Sequence, residues 1–162
     1  MKQSTKAAIK TYAVSIAVPL VLGLLSALLT MGKMDLYSRV QTPPLSPPSV
    51  LFPIVWTILY FLMGVSAGRI WQKRELAPQS ADTGIAFYAV SLVFNFAWSI
   101  LFFNFELYLF SFFWLLILFG LIIGTMLSYR KVDRTAAYLQ IPYALWVAFA
   151  GYLNAGIWYL NR

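Results

Sequence analysis

Apolar residues run through this chain in five long stretches, separated by short polar segments. Wound as helices at 1.5 Å rise per residue, each stretch is long enough to cross about 30 Å of hydrocarbon. The pattern predicts helices at Tyr12–Thr30, Leu51–Ile70, Ile85–Phe105, Leu107–Tyr129 and Ala136–Leu160. Residues 1–162 therefore read as one domain, an all-α membrane protein built as a five-transmembrane-helix bundle. Lys2, Lys6 and Lys10 precede the first stretch as in a secretory signal. Its length, and Leu28-Leu29-Thr30 where a small-x-small cleavage site would stand, favour a retained first helix.

The connections are short except the first, Met31 to Val50, which carries Pro43, Pro44, Pro47 and Pro48 near its end. Prolines fix φ and stiffen a loop of this length, so it is expected as an ordered lid over the mouth of the bundle rather than a linker. Pro53 falls in the first turn of the next helix, where its missing N–H costs nothing.

Helical spacing sorts the faces. Trp56, Tyr60 and Met63 or Gly64 share a stripe in the second helix, and Asn95, Trp98 and Phe102 share one in the third. Pro142, Trp146, Ala150 and Leu153 or Asn154 share one in the fifth. Trp71, Trp158 and Tyr159 lie at helix ends and read as interfacial belt residues. Trp56, Trp98 and Trp146 sit deeper, each on a stripe with a polar or helix-weakening residue. Asn95 needs a partner in lipid, either a neighbouring helix or the polar edge of a ligand. Pro142 frees the carbonyl one turn back, near Tyr138, and is expected to kink the fifth helix; Pro19 invites the same in the first. The small-residue pairs Gly23/Ala27, Gly64/Gly68 and Gly120/Gly124 permit close helix contact, within the bundle or in a homodimer.

Composition agrees with the pattern. With 61% hydrophobic and 10% charged residues the chain has too little polar surface for a water-soluble globule. The net charge of +7 is a matter of orientation. With five crossings, nine basic residues (Lys2, Lys6, Lys10, Arg69, Lys73, Arg74, Arg130, Lys131, Arg134) share one side and three (Lys33, Arg39, Arg162) the other. The positive-inside rule then puts the amino terminus in the cytoplasm of a bacterial cell membrane, with the proline-rich loop outside. No segment supplies the soluble basic face that nucleic acid needs, so the expected contacts are membrane lipids.

The chain has no Cys and no His, which excludes disulfides, thiolate nucleophiles, His-ligated haem and the usual zinc sites. Neither a metal nor a cofactor is expected. The acids Asp35, Glu75, Asp82, Glu106 and Asp133 all fall in loops or at helix ends, which weakens any ion-relay reading.

Three segments carry a resemblance: PPLSPPSVLFPIVWTILYFLMG at 43–64, LVFNFAWSILFF at 92–103 and LQIPYALWVAFAGYLNAGIW at 139–158. Their order and helical positions resemble the TspO/MBR family, the tryptophan-rich sensory proteins related to the mitochondrial translocator protein. The resemblance covers essentially the whole chain. It implies a commonly dimeric five-helix bundle that binds porphyrins such as protoporphyrin IX, sterols and synthetic isoquinoline carboxamides below the first loop. Carried over by position, it implies a pocket lined by Trp56, Asn95, Trp98, Trp146, Ala150 and Leu153, to which the spacing above adds Tyr60 and Pro142. Trp114 also matches a family tryptophan. The family's sterol motif has Tyr after Leu-Asn in the fifth helix, whereas Ala155 follows Leu153-Asn154 here, which argues against tight cholesterol binding.

Three functions compete. The leading one is a receptor or sensor for a porphyrin or another flat lipophilic ligand. A transporter of such compounds is disfavoured by the lack of inverted repeats and of charges at mid-membrane. A light-dependent porphyrin-degrading enzyme would use the excited ligand with Trp56 and Trp146, since no acid/base pair is available for ordinary catalysis.

Overall fold

The computed structural model describes residues 5–33 and 36–162; Lys2 and Asp35 lie outside them. The helices are α1 (Thr5–Thr30), α2 (Leu36–Arg39), α3 (Leu51–Lys73), α4 (Pro78–Ser99), α5 (Tyr108–Arg130), α6 (Arg134–Tyr138) and α7 (Ile141–Leu160). There is no strand among them. Five spans are long and apolar enough to cross a membrane: Thr5–Arg39, Leu51–Leu76, Pro78–Asn104, Tyr108–Arg130 and Arg134–Leu160. The protein is a five-helix integral membrane bundle, as the hydropathy pattern predicts.

Three spans depart from the expected bounds, the first because α1 already starts at Thr5 rather than Tyr12. The third span begins at Pro78 rather than Ile85, because a helix started at Pro78 runs on through the polar turn Gln79–Thr83, which hydropathy alone does not register. At its other end it loosens into a π-helical stretch, Ile100–Asn104. The fifth span is broken rather than kinked. α6 ends at Tyr138, Leu139 and Gln140 form a turn, and Pro142 sits in the first turn of α7. Proline has no N–H to give the Tyr138 carbonyl, so the chain restarts its ladder with Ala144 N–H on Gln140 carbonyl at 3.0 Å. Pro19, by contrast, is accommodated inside a continuous α1.

Small residues set which helices meet. Gly64 of α3 lies against the α1 backbone at Ser15 and Ile16, and Gly68 against the ring of Tyr12. Gly23 of α1 receives the edge of Tyr60. These stripes are thus occupied inside the α1–α3 seam. The α4–α5 seam is built likewise, with Gly84 under Tyr129 and Gly124 under Phe87. Trp114 locks that seam by stacking on Phe94 with ring centroids 4.3 Å apart, and its Nε1 donates to the Phe94 carbonyl at 2.8 Å.

α7 packs mainly on α5, and the α6–α7 junction is tied to α3 by buried polar contacts. Ser66 Oγ donates to the Ala136 carbonyl at 2.7 Å, and Gln140 Nε2 donates to Ser66 Oγ at 3.1 Å. Just beyond the membrane end of this junction lies Asp133. Its carboxylate takes Arg69 Nε at 2.8 Å and Lys73 Nζ at 3.1 Å, and caps α6 by accepting from Thr135 N–H at 3.0 Å. Burial alone would raise this carboxyl, but the bonds from Arg69 and Lys73 outweigh it and hold it below the ordinary carboxylate value.

At the opposite end the first loop is ordered against α7. Pro43 packs on Gly156, Tyr152 hydroxyl donates to the Pro44 carbonyl at 2.7 Å, and Asn161 exchanges two 2.9 Å bonds with the Gln41 backbone. Arg39 pairs with Glu106 at 3.5 Å, and Asn104 Nδ2 donates to the Leu29 carbonyl at 3.1 Å. These contacts put Arg39 and Arg162 at one end of the bundle and Arg69, Lys73 and Arg134 at the other. Trp71 and Tyr159 are exposed near the two ends, each with an Arg guanidinium over its ring.

Because the Asp133 pKa is lowered by folding, its contribution is full above the ordinary carboxylate value, about 4, and is lost as pH falls through the lowered folded value. Asp133→Asn should cost about 1–2 kcal/mol at pH 7, since Arg69 and Lys73 keep access to solvent. Thermal unfolding in detergent checks this: the variant should unfold at lower temperature at pH 7, with the gap narrowing in acid.

Candidate functional site

The bundle contains a cavity of about 290 Å³ between α1, α3 and the end of α4, in the half that carries the first loop. Leu20, Gly23, Ser26, Ala27 and Thr30 of α1 form one wall, and Phe52, Pro53, Trp56, Thr57 and Tyr60 of α3 form another. Trp98, Ser99 and Phe103 close the third side. The exposed residues Leu24, Ala27, Pro53 and Thr57 mark its mouth on the α1–α3 face of the bundle.

Three of the anticipated site residues meet here, held by their neighbours rather than by chance rotamers. Trp56 stacks on Tyr60 with centroids 5.4 Å apart and turns its edge to Tyr143 at 6.2 Å. Tyr60 is fixed in turn by Asn95, whose Nδ2 donates to the phenol oxygen at 3.0 Å. Asn95 has thus found a neighbouring helix, and it lies behind the cavity wall rather than on it. Trp98 is 6% exposed and stacks on Phe102 at 5.4 Å. Its indole N–H reaches Asn154 of α7. With its amide oxygen toward Trp98, the orientation that satisfies both of its ends, Asn154 accepts from Trp98 Nε1 at 3.2 Å and donates to the Tyr108 carbonyl at 2.6 Å.

The other anticipated residues lie elsewhere. Trp146 and Pro142 border a shallower groove of about 360 Å³ on the α3–α7 face, with Val55, Ile58, Leu59, Leu145 and Phe149. Trp146 meets the cavity wall at Phe52, edge to face at 5.9 Å, without lining the cavity itself. Ala150 and Leu153 are buried in the core, and Trp114 belongs to the α4–α5 seam. Pro43, Pro44, Pro47 and Pro48, expected as the lid, do not line the cavity; the segment's first prolines lie on α7.

The α1 wall is what spacing analysis passed over. Gly23 and Ala27 stood out only as a helix-contact pair, and the polar residues Ser26 and Thr30 on the same face of an otherwise apolar span were the available signal. The cavity lining offers aromatic faces, aliphatic surface and hydroxyls. Such a surface binds by burial and stacking, with a few hydrogen bonds to orient a guest. Among the described residues no group of His, Cys, Asp and Glu could hold a metal ion.

The fold and this cavity define a class: a compact five-helix membrane protein with an aromatic-walled chamber between its spans. A model of the TspO/MBR family matches residues 15–160, and the chain belongs to that family. It is 36% identical over 129 residues to the tryptophan-rich protein TspO of Chlorobaculum tepidum, covering 77% of this chain and 78% of that protein. The translocator protein of Bos taurus is 33% identical over 141 residues, 86% of this chain and 83% of its own. The tryptophan-rich sensory protein of Cereibacter sphaeroides is 31% identical over 125 residues, 77% and 76% of the two chains.

Asn154 is 1% exposed, so Asn154→Leu leaves the Trp98 indole N–H unpaired in the interior and removes the side-chain bond to the Tyr108 carbonyl. The expected cost is about 1–3 kcal/mol. A lowered unfolding temperature, together with a shifted tryptophan emission in the folded variant, is the result to look for.

Proposed function

We propose that this protein is a membrane receptor or sensor whose cavity takes a flat lipophilic ligand of the tetrapyrrole type. The observation that carries the reading is the clustering of Trp56, Tyr60 and Trp98 on the walls of one cavity inside an apolar bundle. Membership of a family whose relatives include a tryptophan-rich sensory protein supports it. At about 290 Å³ the cavity is at the low end for small-molecule sites, so it receives one edge of a macrocycle and the rest lies in the α1–α3 mouth. Burial of apolar area is the main driving term, at about 25 cal/mol per Å². Each ring stacked on an indole adds about 0.5–1.5 kcal/mol. The ligand's carboxylates lie toward Lys33 and Arg39, two of the cations at that end of the bundle. Occupancy wedges α1 from α3 and so alters the surface offered to a partner.

Protoporphyrin IX titrated into the detergent-solubilised protein, and followed by porphyrin emission so that removing an indole does not alter the probe, tests this. Trp56→Phe should weaken binding about 2- to 10-fold. Trp146→Phe should weaken it less, and Trp114→Phe should leave it unchanged. Parent-like binding by Trp56→Phe would remove the cavity from the reading.

The proposed orientation places the amino terminus in the cytoplasm. Alkaline phosphatase fused after Arg162 in a bacterial host should then be active, and fused in the Lys131–Asp133 turn inactive. The reverse pattern would invert the topology.

A further inference from the structure

Behind the cavity wall, in the interior shared by α4, α5 and α7, lies a second group of polar side chains that the cavity does not use. Tyr88, Ser91 and Asn95 stand on one stripe of α4. Tyr143 of α7 stands beside Ser91 and faces Tyr60 and Tyr88, and Tyr129 of α5 meets Tyr88 with ring centroids 6.5 Å apart. Each of Tyr88, Ser91, Asn95, Tyr129 and Tyr143 is at most 6% exposed. Yet the hydroxyls of Tyr88, Tyr129 and Tyr143 and the amide oxygen of Asn95 have no hydrogen-bond partner among the described residues. Ser91 spends its hydrogen on the Tyr88 carbonyl at 2.7 Å, which leaves its oxygen free to accept.

Four unpartnered polar atoms in one buried group are costly, and phenylalanine would fill the three tyrosine positions without that cost. A partner must therefore be trapped with the fold. It is not a cation, because no carboxylate belongs to the group and an ion without a counter-charge is unfavourable at this depth. It is not an anion either, since neither Lys nor Arg reaches the group from these stripes. Water fits on both counts. It is neutral, accepts from phenol O–H groups and donates to the Asn95 amide oxygen and to Ser91 Oγ, so the group offers it both kinds of bond.

We infer that the interior between α4, α5 and α7 holds bound water at a site built by Tyr143, Asn95, Ser91 and Tyr88 and continued by Tyr129. The site does not depend on what the cavity takes. It does position a cavity wall: water on the amide oxygen keeps Asn95 turned with its Nδ2 on the Tyr60 phenol at 3.0 Å.

Radiolysis of water by an X-ray pulse makes hydroxyl radicals where the water is, and these oxidise side chains beside bound water even where bulk solvent does not reach. The full chain in lipid nanodiscs is pulsed, and oxidation is read by mass spectrometry and corrected for the intrinsic reactivity of each residue type. Tyr143 should be oxidised several-fold faster than Phe102, which is equally buried at 1% exposure and is packed among aromatic rings. Equal rates at the two residues would mean a dry core and overturn the inference. Tyr143→Phe supplies a second test, in which the two cases have opposite signs. Removing a dry hydroxyl relieves a penalty, so the unfolding temperature would hold or rise, and either result overturns the inference. Removing a hydroxyl bonded to water should lower it, by about 2–4 °C. A direct bond from Tyr143 to Ser91 would also lower it but would bring no radicals to Tyr143, so the labelling separates the two. Labelling is done on the parent chain and decides the matter even if the variant does not fold.

Discussion

A polar group in hydrocarbon has no water to turn to, and this constraint organises the bundle. Several polar side chains inside the spans found a partner on another helix, and in doing so helped choose which helices are neighbours. Asn95 on α4 meets Tyr60 on α3, and Asn154 on α7 meets Trp98 on α4 and the start of α5. Gln140 and Ser66 join the α6–α7 junction to α3. Apolar contact between helices in lipid is nearly indifferent to rotation, because lipid tails are as apolar as leucine. These bonds are not indifferent, so they supply the orientation that hydrophobicity withholds.

Glycines then decide where the bundle is tight and where it is open. At Gly64 and Gly68 the α1 backbone and the Tyr12 ring come directly against α3, and no side chain could be inserted. Toward the other end the facing residues are Phe52 and Trp56, with Ser26 and Thr30 opposite. Large rings held by their own stacking cannot collapse onto small hydroxyl residues, and a cavity is left. The same seam is closed at one end and hollow at the other for one reason, the order of small and large residues along two antiparallel helices.

The first loop contributes by its attachment. Its bonds to Tyr152 and Asn161, and Pro43 against Gly156, fix the entry to α3 and hence the position of Phe52 and Trp56. The prolines act through stiffness at a distance from the chamber rather than by lining it. Asp133 does the corresponding work at the opposite end, holding Arg69 and Lys73 of α3 against the start of α6.

The sequence by itself determined the number of spans, the segregation of basic residues and the family, because hydropathy sums over a whole helix and motifs are local in the chain. Spacing also marked Trp56 and Tyr60 as sharing one stripe, and the family resemblance joined Trp98 to them. Which way each stripe turned was decided only by tertiary structure. A helix apolar on all sides carries no amphipathic signal to fix its rotation. So Trp146 came to lie on the α3–α7 face, Trp114 went to the α4–α5 seam, and α1, with no aromatic between Tyr12 and its end, became a wall of the chamber. The break before Pro142 was equally out of reach of local reading: proline forbids one hydrogen bond, but whether the chain kinks or restarts depends on the partners that Gln140 finds across the bundle.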